Sequence, residues 1–164
     1  MAPASRSGYS GTQIGLHWII AALVIFQLLF GDDMTHVIRA TARGAVVTPS
    51  AAFWADIHYY LGIAVLALVL ARLFIRIILG APEPLQEGWM GKTAALIHAA
   101  FYILLVAAPI LGLLAYYLGK PFGELHQLCK PALIILIGAH AAAALFHQFW
   151  LKDGTLRRML VPGQ

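Results

Sequence analysis

Four long apolar runs, parted by short clusters of Gly, Pro, Asp and Lys, dominate the hydrophobic pattern of this chain. The first runs from Gly11 to Phe30 and stops at Gly31-Asp32-Asp33. The second runs from Ala52 to Leu79 and stops at Gly80-Ala81-Pro82. The third runs from Thr93 to Leu118 and stops at Gly119-Lys120-Pro121. The fourth runs from Glu124 to Leu151 and stops at Lys152-Asp153-Gly154. Each is near or above the length of about 20 residues that crosses the hydrocarbon of a bilayer as a helix. Lipid cannot satisfy bare backbone groups, so only helices or closed barrels span it, and these runs are too long for barrel strands. The pattern predicts an all-α fold: an integral membrane four-helix bundle, antiparallel because its connections are short. It forms one transmembrane domain over residues 1–164, without internal repeats. The longest connection, Asp32 to Ala51, carries Arg39 and Arg43 and is expected to hold a short surface helix.

Composition agrees. Of 164 residues, 61% are hydrophobic and 11% charged, against about 25% charged in a soluble domain. A net charge of +4 comes from cations scattered near helix ends, which reads as topology control and not as a nucleic-acid surface. With the N-terminus inside, the inner side holds Arg6, Arg72, Arg76, Lys92, Lys152, Arg157 and Arg158, and the outer side Arg39, Arg43, Lys120 and Lys130. Seven against four favours both termini in the cytoplasm. Met1 to Ser10 lacks the apolar core and cleavage site of a signal peptide, so the first run is expected to stay in the mature protein. The single cysteine, Cys129, excludes an intrachain disulfide, and no C-x-x-C-H is present for covalent haem attachment.

Candidate chemistry lies in histidines set within these runs. His126 and His140 are fourteen residues apart, nearly four whole turns, so they share a helix face roughly 20 Å apart along the axis. His17 lies early in the first run and His58 early in the second. Depth then sorts them into an inner pair, His17 with His140, and an outer pair, His58 with His126. A single histidine in a spanning helix is as readily a packing residue as a ligand. Four at matched depths point to function, because ionisable groups at membrane depth are expensive. Two neutral imidazoles suit the axial positions of haem iron, and they fill both, which favours electron transfer over oxygen activation. Zinc or copper prefers a compact cluster of three or four ligands, and these pairs are too far apart for one. His147, seven residues beyond His140, is the alternative inner ligand. His98, at the inner start of the third run, has three readings: a propionate hydrogen bond, a quinone headgroup, or an interfacial residue. His36 lies in the outer connection and is expected to be solvated.

Gly15, Gly62, Gly112 and Gly138 lie within the runs, where glycine allows close approach of another helix or of a flat cofactor. Arg72 and Arg76 lie one turn apart near the inner end of the second helix. Snorkelling to the headgroups is their default role, but the fork of the deeper Arg72 also suits a propionate carboxylate. Lys130 is the outer counterpart. Pro131 is expected to disturb the fourth helix and to mark the true start of its regular part.

The residues resemble those of the bacterial di-haem cytochrome b561 family over nearly the whole chain. The carrying segments are Tyr9-Ser10 through Leu16-His17-Trp18, Ile57-His58, the Arg72 to Arg76 pair, Leu96-Ile97-His98 through Tyr102, and Pro109-Ile110-Leu111-Gly112. To these add Gly138-Ala139-His140 through Leu145 with His147, and Trp150-Leu151-Lys152-Asp153-Gly154-Thr155-Leu156-Arg157-Arg158-Met159. Cys129-Lys130-Pro131 departs from the family's smoother run. The resemblance implies two b-type haems ligated by His17, His58, His126 and His140, in a multi-pass protein of the bacterial inner membrane. It implies superoxide oxidation at the periplasmic face and ubiquinone as electron acceptor. On that reading the outer cations Lys130, Arg39 and Arg43 are expected to draw the anion, and His98 or Arg72 to bind or protonate the quinone. Related cytochrome subunits instead take electrons from a partner dehydrogenase or hydrogenase, which is the alternative reading. A small transporter or haem carrier is a third.

Overall fold

The computed structural model describes residues 8–83 and 85–163. Arg6, counted above among the inner cations, lies outside the described residues, as does the side chain of Lys120. The described residues form five α-helices: α1 (Gly11–Phe30), α2 (Asp33–Ala42), α3 (Pro49–Leu79), α4 (Gly88–Leu118) and α5 (Lys120–Phe146). A π-helical turn, His147–Leu151, prolongs α5, and a 3-10 turn covers Arg157–Met159. Among the described residues there is no strand. Four helices, α1, α3, α4 and the Pro121–Leu151 stretch, are long and apolar enough to cross a membrane, and α2 is the short helix of the long connection.

Helix ends follow local chemistry. Ser10 caps α1: its hydroxyl accepts from the Gln13 amide at 3.2 Å, and the Gln13 side chain accepts from the Ser10 amide at 3.0 Å. This reciprocal cap satisfies two amides that the first turn leaves bare. Thr48 caps α3, with Pro49 in the first turn, where its missing N–H costs nothing. Gly80 and Gly119 end α3 and α4 with positive φ, 75° and 93°, which a side chain would disfavour. The expected break at Pro131 does not occur: α5 runs continuously through it, as α4 runs through Pro109. In a bundle, neighbouring groups re-satisfy the carbonyl that a proline frees. His126 and His140 therefore stand on one unbroken helix.

α1 packs on α3, α3 on α4, and α4 on α5, while α2 lies against α3. The buried centre is an aliphatic cluster of Ile20, Val24, Val65 and Val69, with Leu68, Tyr102, Leu105 and Ile137 around it. Most large apolar side chains, such as Phe74, Leu96 and Ile135, point outwards, as lipid-facing residues do. α3 has 31 residues, about 46 Å at the α-helical rise, against about 30 Å of hydrocarbon. Its start overhangs: the Tyr59 hydroxyl meets that of Tyr117, at the end of α4, at 3.0 Å. The overhanging turns stack Trp54 on Phe30 of α1 at 5.7 Å.

The two chain ends lie at one end of the bundle. The Gly163 amide donates to the Tyr9 carbonyl at 3.1 Å, and the Trp18 indole donates to the Met159 carbonyl at 2.7 Å. This is the terminal end, and the opposite one, covered by α2, is the α2 end.

Candidate functional site

At the α2 end, His58 of α3 faces His126 of α5 with ring centres 6.0 Å apart. His126 Nδ1 donates to the Ala108 carbonyl at 2.8 Å, so its Nε2 lone pair is free for a metal ion. The His58 carbonyl accepts from the Gln27 side chain at 2.8 Å, which fixes the main chain beneath the ring. Two glycines make room. A Cβ on Gly31 would lie 2.7 Å from His58 Nδ1, and one on Gly112 would lie 3.1 Å from His126 Cε1. A cavity of about 560 Å³ opens around both rings, lined also by Gly31, Gly62, Gly112 and Arg39, within the size range of cofactor pockets.

At the terminal end, His17 of α1 faces His140 of α5 at 6.3 Å. His98 of α4 joins them, 5.3 Å from His140, and Phe101 abuts the same ring at 5.3 Å. The His98 Nδ1 donates to the Ala94 carbonyl at 2.7 Å. Arg72, one of the candidate propionate partners, donates to the Gln13 carbonyl, and the Gln13 side chain donates to the Gly80 carbonyl at 3.0 Å. This ties α1 to the end of α3 beside the histidines.

Both separations fit a shared axial ligation. A metal–imidazole bond is about 2.0 Å, and the ligating nitrogen lies about 1.1 Å from the ring centre. Two imidazoles on opposite sides of one ion therefore have centres roughly 6 Å apart. Moreover, neither helix pair that carries these histidines, α1 with α5 or α3 with α5, is among the closely packed ones. At the α2 end the cavity leaves room for a flat group between the facing imidazoles. Among the described residues, no group of three or more His, Cys, Asp or Glu has metal-cluster geometry.

The remaining sequence candidates take other places. His147 turns to Asp153, with Nδ1 2.5 Å from the carboxylate. Burial pushes the Asp153 carboxyl up, but hydrogen bonds from His147, Thr155 and Gln86 outweigh it and hold the group well below the usual carboxylate range. Lys130 pairs with Asp32 at 2.7 Å, so it is engaged with a carboxylate of the chain itself. His36 is exposed on α2 at the cavity rim. Gly62 and Gly112 line the cavity, whereas a Cβ on Gly15 or Gly138 would meet nothing within 4 Å. Sequence reasoning missed Gln27, Gly31 and the Ala108 carbonyl. Gln27, a lone amide deep in an apolar run, was the available signal, while a backbone carbonyl leaves none.

The described chain matches the family model of prokaryotic cytochrome b561 over residues 8–162. It is 38% identical to a protein named cytochrome b562 from Cereibacter sphaeroides, covering 94% of this chain and 96% of that one. It is 34% identical to cytochrome b561 homolog 1 of Escherichia coli, over 93% and 96%. It is 30% identical to a Yersinia pestis protein named probable superoxide oxidase CybB, over 93% and 95%.

Proposed function

The chain belongs to the prokaryotic cytochrome b561 family, and from that membership we propose that it conducts electrons across the bacterial inner membrane through two b-type haems. Proteins of this family bind b-type haem and transfer electrons, and four spanning helices make this one a multi-pass bacterial membrane protein. The proposed ligands are His17 with His140 and His58 with His126. The observation that carries the assignment is the pair of imidazole separations, 6.3 and 6.0 Å. Haem supplies a one-electron ferric–ferrous couple, whose potential the ligands and their hydrogen bonds tune. The chain's residues then place the rings, exclude water with the central aliphatic cluster, and set tautomers, as the Ala108 carbonyl does for His126.

The proposed electron donor is superoxide at the periplasmic face, taken to be the α2 end, and the acceptor is ubiquinone near the terminal end. Two superoxide ions yield two molecules of oxygen, while one quinone takes two electrons and two protons. Support for superoxide is the name of the Yersinia pestis relative and the cations Arg39 and Arg43 on and beside α2, since basic surfaces steer small anions. His98 and Arg72, beside the His17–His140 pair, are the candidate quinone contacts. A second reading is a cytochrome subunit fed by a partner protein, and the pairing of Lys130 with Asp32 favours it by removing one free cation from the α2 end.

Extraction of haem from cofactor-replete protein tests the core of this reading: two equivalents of protohaem per chain are expected, and fewer would refute it. Stopped-flow mixing with superoxide separates the donors. Haem reduction at a rate approaching diffusion supports superoxide, whereas reduction only after adding a co-purifying polypeptide supports the partner.

A further inference from the structure

We infer that the two imidazoles at the α2 end are unequal ligands, His126 held and His58 releasable, which makes this centre a binding site for a small neutral diatomic molecule. The inference rests on the assignment of His58 and His126 to one haem. It starts from a difference between two rings of identical chemistry. His126 Nδ1 donates to the Ala108 carbonyl at 2.8 Å. His58 Nδ1 is buried and, among the described residues, has no hydrogen-bond partner. Its neighbour is the backbone of Gly31, where even a Cβ would come within 2.7 Å. The Gln27 amide grips the His58 carbonyl, so it holds the main chain and leaves the ring without an acceptor.

Ligating histidines almost always donate their second ring N–H. Loss of that partner typically lowers metal affinity 10–100-fold, because the hydrogen bond both orients the ring and raises its basicity. At this centre one ligand has that support and the other lacks it. The ring of His58, like that of His126, lines the cavity of about 560 Å³ that the haem would occupy. The incoming ligand is a neutral π-acceptor for ferrous iron, with carbon monoxide as the probe. The iron–nitrogen bond to His58 breaks and an iron–carbon bond forms, with no electron or proton gained or lost.

The experiment uses purified holoprotein. Its haem count and low-spin ferrous spectrum test the ligand assignment separately, before any gas is added. Dithionite-reduced protein is then titrated with carbon monoxide. The expected result is a carbonyl adduct on one haem per chain, with a rate that levels off at high gas concentration because release of His58 limits it. In His58→Gly the same adduct forms at least about tenfold faster, at a rate linear in gas concentration. Exogenous ligands give a second readout. In His58→Gly, imidazole and 1-methylimidazole restore the low-spin spectrum with equal affinity, since nothing there accepts an N–H. In His126→Gly, imidazole binds about 10–100-fold more tightly than its methylated form, because the Ala108 carbonyl takes the N–H. Absence of an adduct in the two-haem wild type overturns the inference. So does an equal preference for imidazole in both variants. If either variant fails to hold haem, the wild-type titration still decides.

Discussion

His140 and His147 lie seven residues apart on the same helical stretch, yet each has a different neighbour. His140 meets His17, His98 and Phe101, and His147 meets Asp153. His140→Ala is therefore expected to lose the haem at the terminal end and keep the other, while His147→Ala keeps both. Haem stoichiometry and the reduced absorbance bands of each variant check this, and haem loss in His147→Ala would reverse the assignment. The Asp153 carboxylate has a depressed protonation point in the fold. Its stabilising contribution is complete above the ordinary value of 3.8 and is lost as pH falls through the depressed value. Melting of the wild type and of Asp153→Asn should therefore differ at neutral pH and converge only in strong acid. Which histidines face one another was legible from depth along the runs. The tasks of Arg72 and Lys130 were not, because their partners are a carbonyl of Gln13 and a carboxylate 98 positions away. The Lys130–Asp32 pair is well exposed, so it is worth only about 0.2–1 kcal/mol. Its effect is on the field at the α2 end more than on stability.

At the scale of the element, α1 was legible to the residue, because Ser10 caps it and Gly31 ends it. α3 and α4 begin earlier than hydropathy indicated, at Pro49 and Gly88 instead of Ala52 and Thr93. The first turn of α3, Pro49-Ser50-Ala51, is polar or small and reads as a connection although Thr48 and Pro49 favour a helix start, while in α4 Gly88, Gly91 and Lys92 interrupt the apolar Trp89-Met90. Pro131 misled for a related reason. The rule that proline breaks a helix assumes a solvated helix, and in a bundle the freed carbonyl is satisfied by neighbours. Pro131→Ala restores an N–H within a helix that is already continuous. The variant should retain both haems and melt at or above the wild-type temperature, as thermal loss of the haem absorbance will report. Ser10→Ala removes the cap of α1 and should lower stability by about 1 kcal/mol, seen as a lower melting temperature in detergent.

Across the whole molecule, the ends of the described chain share one face of the bundle, held by Trp18 to Met159 and by Gly163 to Tyr9. The lysine and arginine bias predicts that this face lies in the cytoplasm. A fluorescent reporter fused after the last residue should fold and fluoresce there, and one active only in the periplasm should work when inserted near Val46, in the α2–α3 connection. The reverse result would invert the proposed direction of transfer. If superoxide is the donor, its rate should fall as ionic strength rises, because salt screens the pull of Arg39 and Arg43 beyond about 10 Å at 0.1 M.

The aliphatic cluster of Ile20, Val24, Val65 and Val69 fills the space between the two histidine levels and contains no ionised group. Such a filling behaves as the dielectric of a capacitor. An electron tunnels through it, while a proton finds no relay of acids or bases to follow. Each turnover in the proposed direction therefore separates charge, and the protons that complete quinol formation must arrive from the terminal end. The rate of the protein in sealed vesicles would then respond to the voltage already stored across the membrane, slowing when the interior is negative and recovering when an ionophore discharges it.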